Sequence, residues 1–110
     1  AIDKFKLEDS NGNDVTDQVL HLPKVYLIFS YKPKEINNAD LIKTEDVFRI
    51  NFKNEKYFGV STDKNTFKTI PNLTMDGTAI KTIARSNPFV LVLENGIIKE
   101  KKSLEDFLDK

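Results

Sequence analysis

Ser86-Asn87-Pro88-Phe89-Val90-Leu91-Val92-Leu93-Glu94-Asn95-Gly96-Ile97-Ile98-Lys99 decides the fold. A proline opens an unbroken apolar run, an Asn-Gly pair closes it, and Ile97-Ile98 begins a second run. This pattern predicts a strand, a tight type I′ turn and a returning strand, which together make a hairpin. Because Phe89 to Leu93 is apolar at every position, both of its faces must be covered, so it belongs inside a sheet. The polar Ser86-Asn87 pair followed by Pro88 suggests a strand entering directly from a tight turn, the setting in which a cis X-Pro bond is commonest.

Working outward, Val25-Tyr26-Leu27-Ile28-Phe29 has the same character: too short for a helix, rich in β-branched and aromatic residues, and apolar throughout. It predicts a second central strand, adjacent and antiparallel to Phe89 to Leu93. Upstream, Phe5-Lys6-Leu7-Glu8 alternates apolar and charged residues, Asn11-Gly12 follows, and Val15 with Val19-Leu20 restores apolar content. A short edge hairpin, or a strand and turn, is expected there.

Beyond the loop Tyr31-Lys32-Pro33-Lys34, the positions Leu41, Phe48 and Phe52, with Ile42 alongside, predict a helix from about Asn38 to about Lys53, capped by Asn37 or Asn38. Tyr57 to Val60 reads as a strand. Ser61-Thr62-Asp63 offers caps for a one- or two-turn helix carrying Phe67 and Ile70 and ending at Pro71. Leu73 to Met75 is extended, and Ala79 to Ala84 is a short helix after Asp76-Gly77-Thr78. Ser103 and Asp106 resemble a capping box opening a terminal helix with Leu104, Phe107 and Leu108 on one face.

The chain of 110 residues is 39% hydrophobic and 10% aromatic, enough for one domain with one core, residues 1–110. Its 17 basic and 17 acidic side chains balance, so charge offers no case for nucleic acid or an anionic membrane. No apolar run exceeds five residues, against the ~20 that a membrane helix needs. With Ala1 so close to the first structured residues, the chain is expected to be excised from, or processed out of, a longer one.

Strand, helix and strand, then helix and antiparallel hairpin, closed by a helix, make an α/β arrangement with a mixed sheet covered on both faces. The proline-entered strand, Asn-Gly turn, strand and terminal helix of Asn87 to Leu108 resemble the second half of the thioredoxin fold. Phe5-Lys6-Leu7-Glu8-Asp9, Asn11-Gly12 and Val25 to Phe29 resemble the opening of its peroxiredoxin-like and extracytoplasmic thiol-disulfide branch. More narrowly, Asp76 with Ile80 to Pro88 and Leu91 to Gly96 is similar to the thioredoxin-like tail of some DoxX-like membrane proteins. It departs from that pattern at Phe89, where a small residue is usual, and at Lys102, where a tryptophan is common.

The resemblance implies a three-layer α/β/α fold with a mixed central sheet and a cis-proline at Pro88 before the C-terminal hairpin. It places the family's redox loop at Ser30-Tyr31-Lys32-Pro33-Lys34-Glu35-Ile36, and its buried acid at Ile28. There is no cysteine anywhere in the chain. Disulfide exchange requires a thiolate, and neither an alkoxide at Ser30 nor a phenolate at Tyr31 can form a disulfide. Thiol-disulfide and peroxidase chemistry are thereby excluded, and neither a catalytic residue nor a cofactor is expected.

Other sites read more plainly as structure. His21, the single histidine, has a polar neighbourhood suited to a surface or cap position. Asp9 to Asp14 has the oxygen content of half a calcium loop without the later ligands, and reads as a turn rather than a metal site. Lys32, Lys34 and Arg85 at the rim of the sheet read as solvated charges rather than an anion site. The series Phe48, Phe52, Tyr57, Phe58 and Phe67 follows the periods of buried faces and reads as core rather than ligand cage.

What the resemblance leaves is a non-catalytic accessory or interaction domain of an extracytoplasmic or membrane-attached protein. Its candidate peptide cleft is formed by Ser30, Tyr31, Lys32, Pro33, Ser86, Asn87 and Pro88. The partner expected there is an extended protein segment, possible sources including a membrane assembly, added by main-chain pairing at Asn87. The competing class is a small-ligand or cofactor-dependent enzyme using the same cleft. Against it stand a lone histidine, no Gly-rich phosphate loop and no carboxylate pair at a strand end.

The core assignment yields a first prediction. Phe29→Ala is expected to cost about 3–5 kcal/mol and Leu91→Ala about 2–5 kcal/mol, read as lowered denaturation midpoints. Unchanged midpoints in both variants would show that these strands are not the core.

Overall fold

Two strands that are apolar at every position can exist only where both faces are covered, and in the computed structural model they stand side by side inside the sheet. The structure describes residues 6–30, 38–83 and 88–108. Strand β1 (Val25–Ser30) is buried at all six positions. It pairs antiparallel with β4 (Phe89–Glu94), Phe29 opposite Phe89 and Leu27 opposite Leu91. On its other side β1 pairs parallel with β2 (Tyr57–Ser61), which pairs parallel with β3 (Asn72–Thr74). Strand β5 (Ile97–Ser103) returns antiparallel to β4, giving the order β3-β2-β1-β4-β5.

The hairpin turn has the predicted chemistry. Asn95 and Gly96 both take positive φ, 53° and 80°, as a type I′ turn requires. One irregularity follows it: Leu93 faces Ile98 while Val92 faces Glu100, so Lys99 is a bulged extra residue.

Side-chain alternation divides the core into two sides. Val25, Leu27, Phe29, Val60, Phe89, Leu91 and Leu93 pack on one side, with α1 (Thr16–Leu20) supplying Val19 and α3 (Gly77–Ile83) supplying Ile80 and Ile83. Tyr26, Ile28, Val90 and Val92 pack on the other, under Leu41 and Phe48 of α2 (Asn38–Asn51) and Leu104 and Phe107 of α4 (Leu104–Leu108). The result is three layers, helix, mixed sheet and helix. The first side contains a flat Phe29–Phe89 stack with centroids 4.7 Å apart. On the second, Tyr26 meets Phe48, Phe52 and Phe107 edge-on. The aromatic series is therefore core, shared between both sides, with Phe58 alone of its members packed against the first.

The N-terminal segment makes the expected turn but runs on as a helix rather than a second strand. Glu8 bridges Asp14, but also pairs with Thr74 in β3, and the chain then enters α1. Asp14 Oδ1 accepts from the Thr16 amide at 3.0 Å and from its hydroxyl at 2.7 Å, a local turn that starts the helix where alternation suggested further extended chain. Asp9 Oδ1 accepts from the amides of Asn11 and Asn13 at 2.9 and 3.0 Å, the turn expected there. Ser103 Oγ accepts from the Asp106 amide at 3.1 Å and so caps α4. Asp76 Oδ2, accepting from Thr78 and Ala79, does the same for α3.

The helix expected after Ser61 does not form, and the hydrogen bonds say why. The Phe67 amide goes to Asn72 Oδ1 at 2.9 Å, and the Lys68 and Thr69 amides go to the carboxylate of Glu45 at 3.0 and 2.5 Å. Side chains have taken the donors that a helix would turn inward, so residues 62–71 run as an irregular strap from β2 to β3. Glu45 is 2% exposed on the buried face of α2. Ile42, by contrast, which the apolar spacing placed beside Leu41, is 55% exposed.

Gly59 in β2 lies directly beneath the Phe67 ring of this strap, and a methyl built at Gly59 would overlap that ring. Gly59→Ala is therefore expected to destabilise by about 1–3 kcal/mol, read from the urea midpoint, and Phe67→Leu in the same chain to restore part of the loss. A Gly59→Ala protein as stable as the parent would place Phe67 elsewhere.

Acid should loosen the N-terminal turn. The Asn13 amide holds the Asp9 carboxyl below its ordinary value, and the Thr16 hydroxyl does the same for Asp14. Carboxyls lowered by folding contribute stability above their unfolded values, and that contribution is lost as pH falls through the folded ones. NMR shifts of Asn11, Asn13 and Thr16 amides should move together on acidification below the usual aspartate range. The same shifts in Asp9→Asn and Asp14→Asn should already be displaced at neutral pH.

Candidate functional site

The parallel strands β1 and β2 end together, Ser30 beside Ser61, and β4 begins at the same rim immediately after Pro88. In open α/β sheets this carboxyl end is where ligands bind. Ser30 and Ser61 are both wholly buried, so Ser30 forms floor beneath the rim rather than an open wall. Ser61 Oγ lies 2.6 Å from the Asp63 carbonyl and 2.8 Å from Thr66 Oγ1, and accepts from the Asp63 amide. Ser30 Oγ has no hydrogen-bond partner among the described residues. Pro88 is half-buried, and its carbonyl accepts from the Leu104 amide at 3.1 Å, joining the entry of β4 to the start of α4.

Of the predicted cleft, then, the structure brings Ser30 and Pro88 to one rim. Tyr31, Lys32, Pro33, Ser86 and Asn87 lie outside the described residues, as do Lys34 and Arg85. The geometry of the Asn87-Pro88 bond lies outside them for the same reason. Ile28, where the sequence resemblance put a buried acid, is fully buried among Tyr26, Val90 and Val92 on the second side of the core. An aliphatic side chain there can neither accept nor deliver a proton.

Sites away from the rim are structural in their contacts. His21 Nδ1 lies 2.7 Å from the Asp17 carbonyl at the end of α1, a cap contact on an exposed residue. Lys24 Nζ sits 5.4 Å from the centroid of the Tyr26 ring, at a hollow also lined by Asn51, Phe52, Glu100 and Phe107. The Tyr26 hydroxyl raises the Lys24 pKa, so the place for a cation over that ring is filled by the chain's own ammonium. Among the described residues, no group of three His, Cys, Asp or Glu is placed to hold a metal ion. No helix among them is long and apolar enough to cross a membrane.

Sequence reasoning missed Glu45. Its spacing from Leu41 and Phe48 puts it on the buried face of α2, which was the available signal. The donors it serves, however, lie 23 and 24 residues away.

Comparison with protein-family models and with curated proteins returns no match. Solved structures do match over nearly the whole chain. The exposed lipoprotein thioredoxin of Streptococcus pneumoniae superposes with TM-score 0.61 at 18% identity, covering 96% of this chain and 97% of that one. A thioredoxin-like protein from Aeropyrum pernix gives 0.64 at 11% identity, covering 92% and 81%. A putative protein disulfide isomerase from Bacteroides thetaiotaomicron gives 0.65 at 18% identity, covering 96% and 79%. Such low identities speak for the fold alone. By its layers, its mixed five-strand sheet and these neighbours, the chain has the thioredoxin-like fold, and it carries that fold without a cysteine.

Proposed function

We propose that this chain is a redox-inactive thioredoxin-like domain that acts as an accessory or interaction module, binding an extended protein segment at the rim where β1 ends and β4 begins. The observation that carries the proposal is a five-strand thioredoxin-like sheet in a chain with no sulfur nucleophile. A fold kept without its chemistry serves by what it holds in place. The contacts proposed are Tyr31, Lys32 and Pro33, which follow Ser30 in the sequence, and Ser86, Asn87 and Pro88; in this reading the partner's main chain pairs beside Asn87 with Tyr31 as an aromatic wall.

An extracytoplasmic or membrane-attached setting fits this reading. One structural neighbour is named as an exposed lipoprotein, and Asp76, Ile80 to Pro88 and Leu91 to Gly96 resemble the tail of some DoxX-like membrane proteins. A partner segment from the same membrane assembly follows from that setting.

Two experiments test the proposal separately. Insulin-reduction and peroxide-consumption assays on the purified protein should match buffer blanks, since no residue can form the obligatory sulfur intermediate; turnover surviving repurification would refute redox inactivity. Amide shift mapping against synthetic peptides spanning the segments encoded beside this chain should perturb Ser30, Tyr31, Lys32, Asn87 and Phe89 first. Perturbation confined to the α2 and α4 side would remove the rim as the binding surface.

A further inference from the structure

We infer that the strap of residues 62–71 is a discrete opening unit of this domain, held shut by the buried carboxylate of Glu45 acting as a latch from α2. Glu45 is 2% exposed, and Lys68 and Thr69 of this one segment donate to it. Lys68 N donates to both oxygens, at 3.0 and 3.1 Å, while Thr69 donates to Oε1 through its amide at 2.5 Å and its hydroxyl at 2.6 Å. A buried carboxylate is costly unless such donors satisfy it, so the latch and the strap depend on each other.

A second clasp lies at the strap's far end. The Asn72 amide group receives the Phe67 N–H at 2.9 Å and donates back to the Phe67 carbonyl at 2.7 Å. The strap contributes two buried apolar side chains, Phe67 over Gly59 and Ile70, both to the second side of the core. The β1, β2 and β4 pairings and the whole first side of the core do not involve it. Opening therefore breaks the Glu45 and Asn72 bonds, and the bond from Gly59 N to the Pro71 carbonyl at 2.9 Å, while leaving the central sheet paired. Segments with little buried apolar surface and their own set of hydrogen bonds are the ones that open below the global unfolding free energy.

The strap follows directly on Ser61, whose register partner is Ser30, so its opening moves the covering next to the rim. In a parallel crossover a helix would normally cover the sheet at this place. Here the covering is a loop fastened by side chains, and the fastening sits on a neighbouring helix.

Native-state hydrogen exchange on the intact chain tests this. In the parent, the amides of Gly59, Phe67, Lys68 and Thr69 should exchange through a common opening faster than those of β1 and β4. In Glu45→Gln, one acceptor oxygen becomes a donor facing other donors. The same four amides should then speed up by about tenfold to a hundredfold, with β1 and β4 unchanged. Equal acceleration throughout the chain, or none at the strap, would overturn the latch. If Glu45→Gln does not fold, Thr69→Val removes only the hydroxyl bond and keeps the carboxylate; it should give a smaller acceleration confined to the same amides. Strap amides that exchange only together with β1 in both the parent and Thr69→Val would show that no separate opening unit exists.

Discussion

The antiparallel pairing of β1 with β4 is the constraint on which the rest of the structure depends. Each strand presents apolar side chains to both faces, and the pair sets them in register from Val25 opposite Leu93 to Phe29 opposite Phe89. Leaving either face open would expose a strip of Leu, Ile, Val and Phe to water at roughly 25 cal/mol for each Å² of apolar surface. The helices on the two sides are answers to that requirement, α1 and α3 on one and α2 and α4 on the other. The flanking strands follow as well: β2 and β5 occupy the two open edges of the pair, and their own outer edges are less demanding. Edge strand β5 is mostly exposed and carries Lys99, Lys101 and Lys102, the charged character that discourages pairing with other chains.

Opposite β5, the outer edge is managed by the N-terminal segment. Glu8 exchanges both backbone bonds with Thr74 of β3, at 3.0 and 2.8 Å, and so adds a short antiparallel bridge to a three-residue strand. The segment is itself held from within. Leu7 is fully buried, its N–H donating to the Thr16 hydroxyl at 2.8 Å and its carbonyl accepting from the Val15 amide at 2.9 Å. A turn that reads in isolation as a loose polar connection is thereby tied to the core on one side and to the sheet on the other.

At the rim, the ends of β1 and β2, the entry of β4 after Pro88 and the three-layer covering are all present in a chain that has no cysteine. Ile28, in the middle of β1, is fully buried. There it packs with Tyr26, Val90 and Val92 on the second side of the core, where a buried acid would need hydrogen-bond donors of its own.

What the sequence by itself determined is what depends on residues close together along the chain. The apolar runs of β1 and β4, the positive-φ turn at Asn95-Gly96, the cap at Ser103 and the lack of cysteine are local facts, and each was legible. So was the α/β class, because the order of those elements leaves few ways to cover them. Of the candidate site, the sequence could place Ser30 and Pro88 at strand boundaries, but not the depth of burial that makes Ser30 a floor. Tertiary structure alone decided the rest. It turned the expected helix after Ser61 into a strap, made a helix from Thr16–Leu20, left Ile42 in solvent and buried Glu45 in its stead. The physical reason is that a backbone donor goes to whichever acceptor the folded chain presents. For Lys68 and Thr69 that acceptor is a carboxylate more than twenty residues away, on another element, which no local pattern of hydrophobicity or helix caps records.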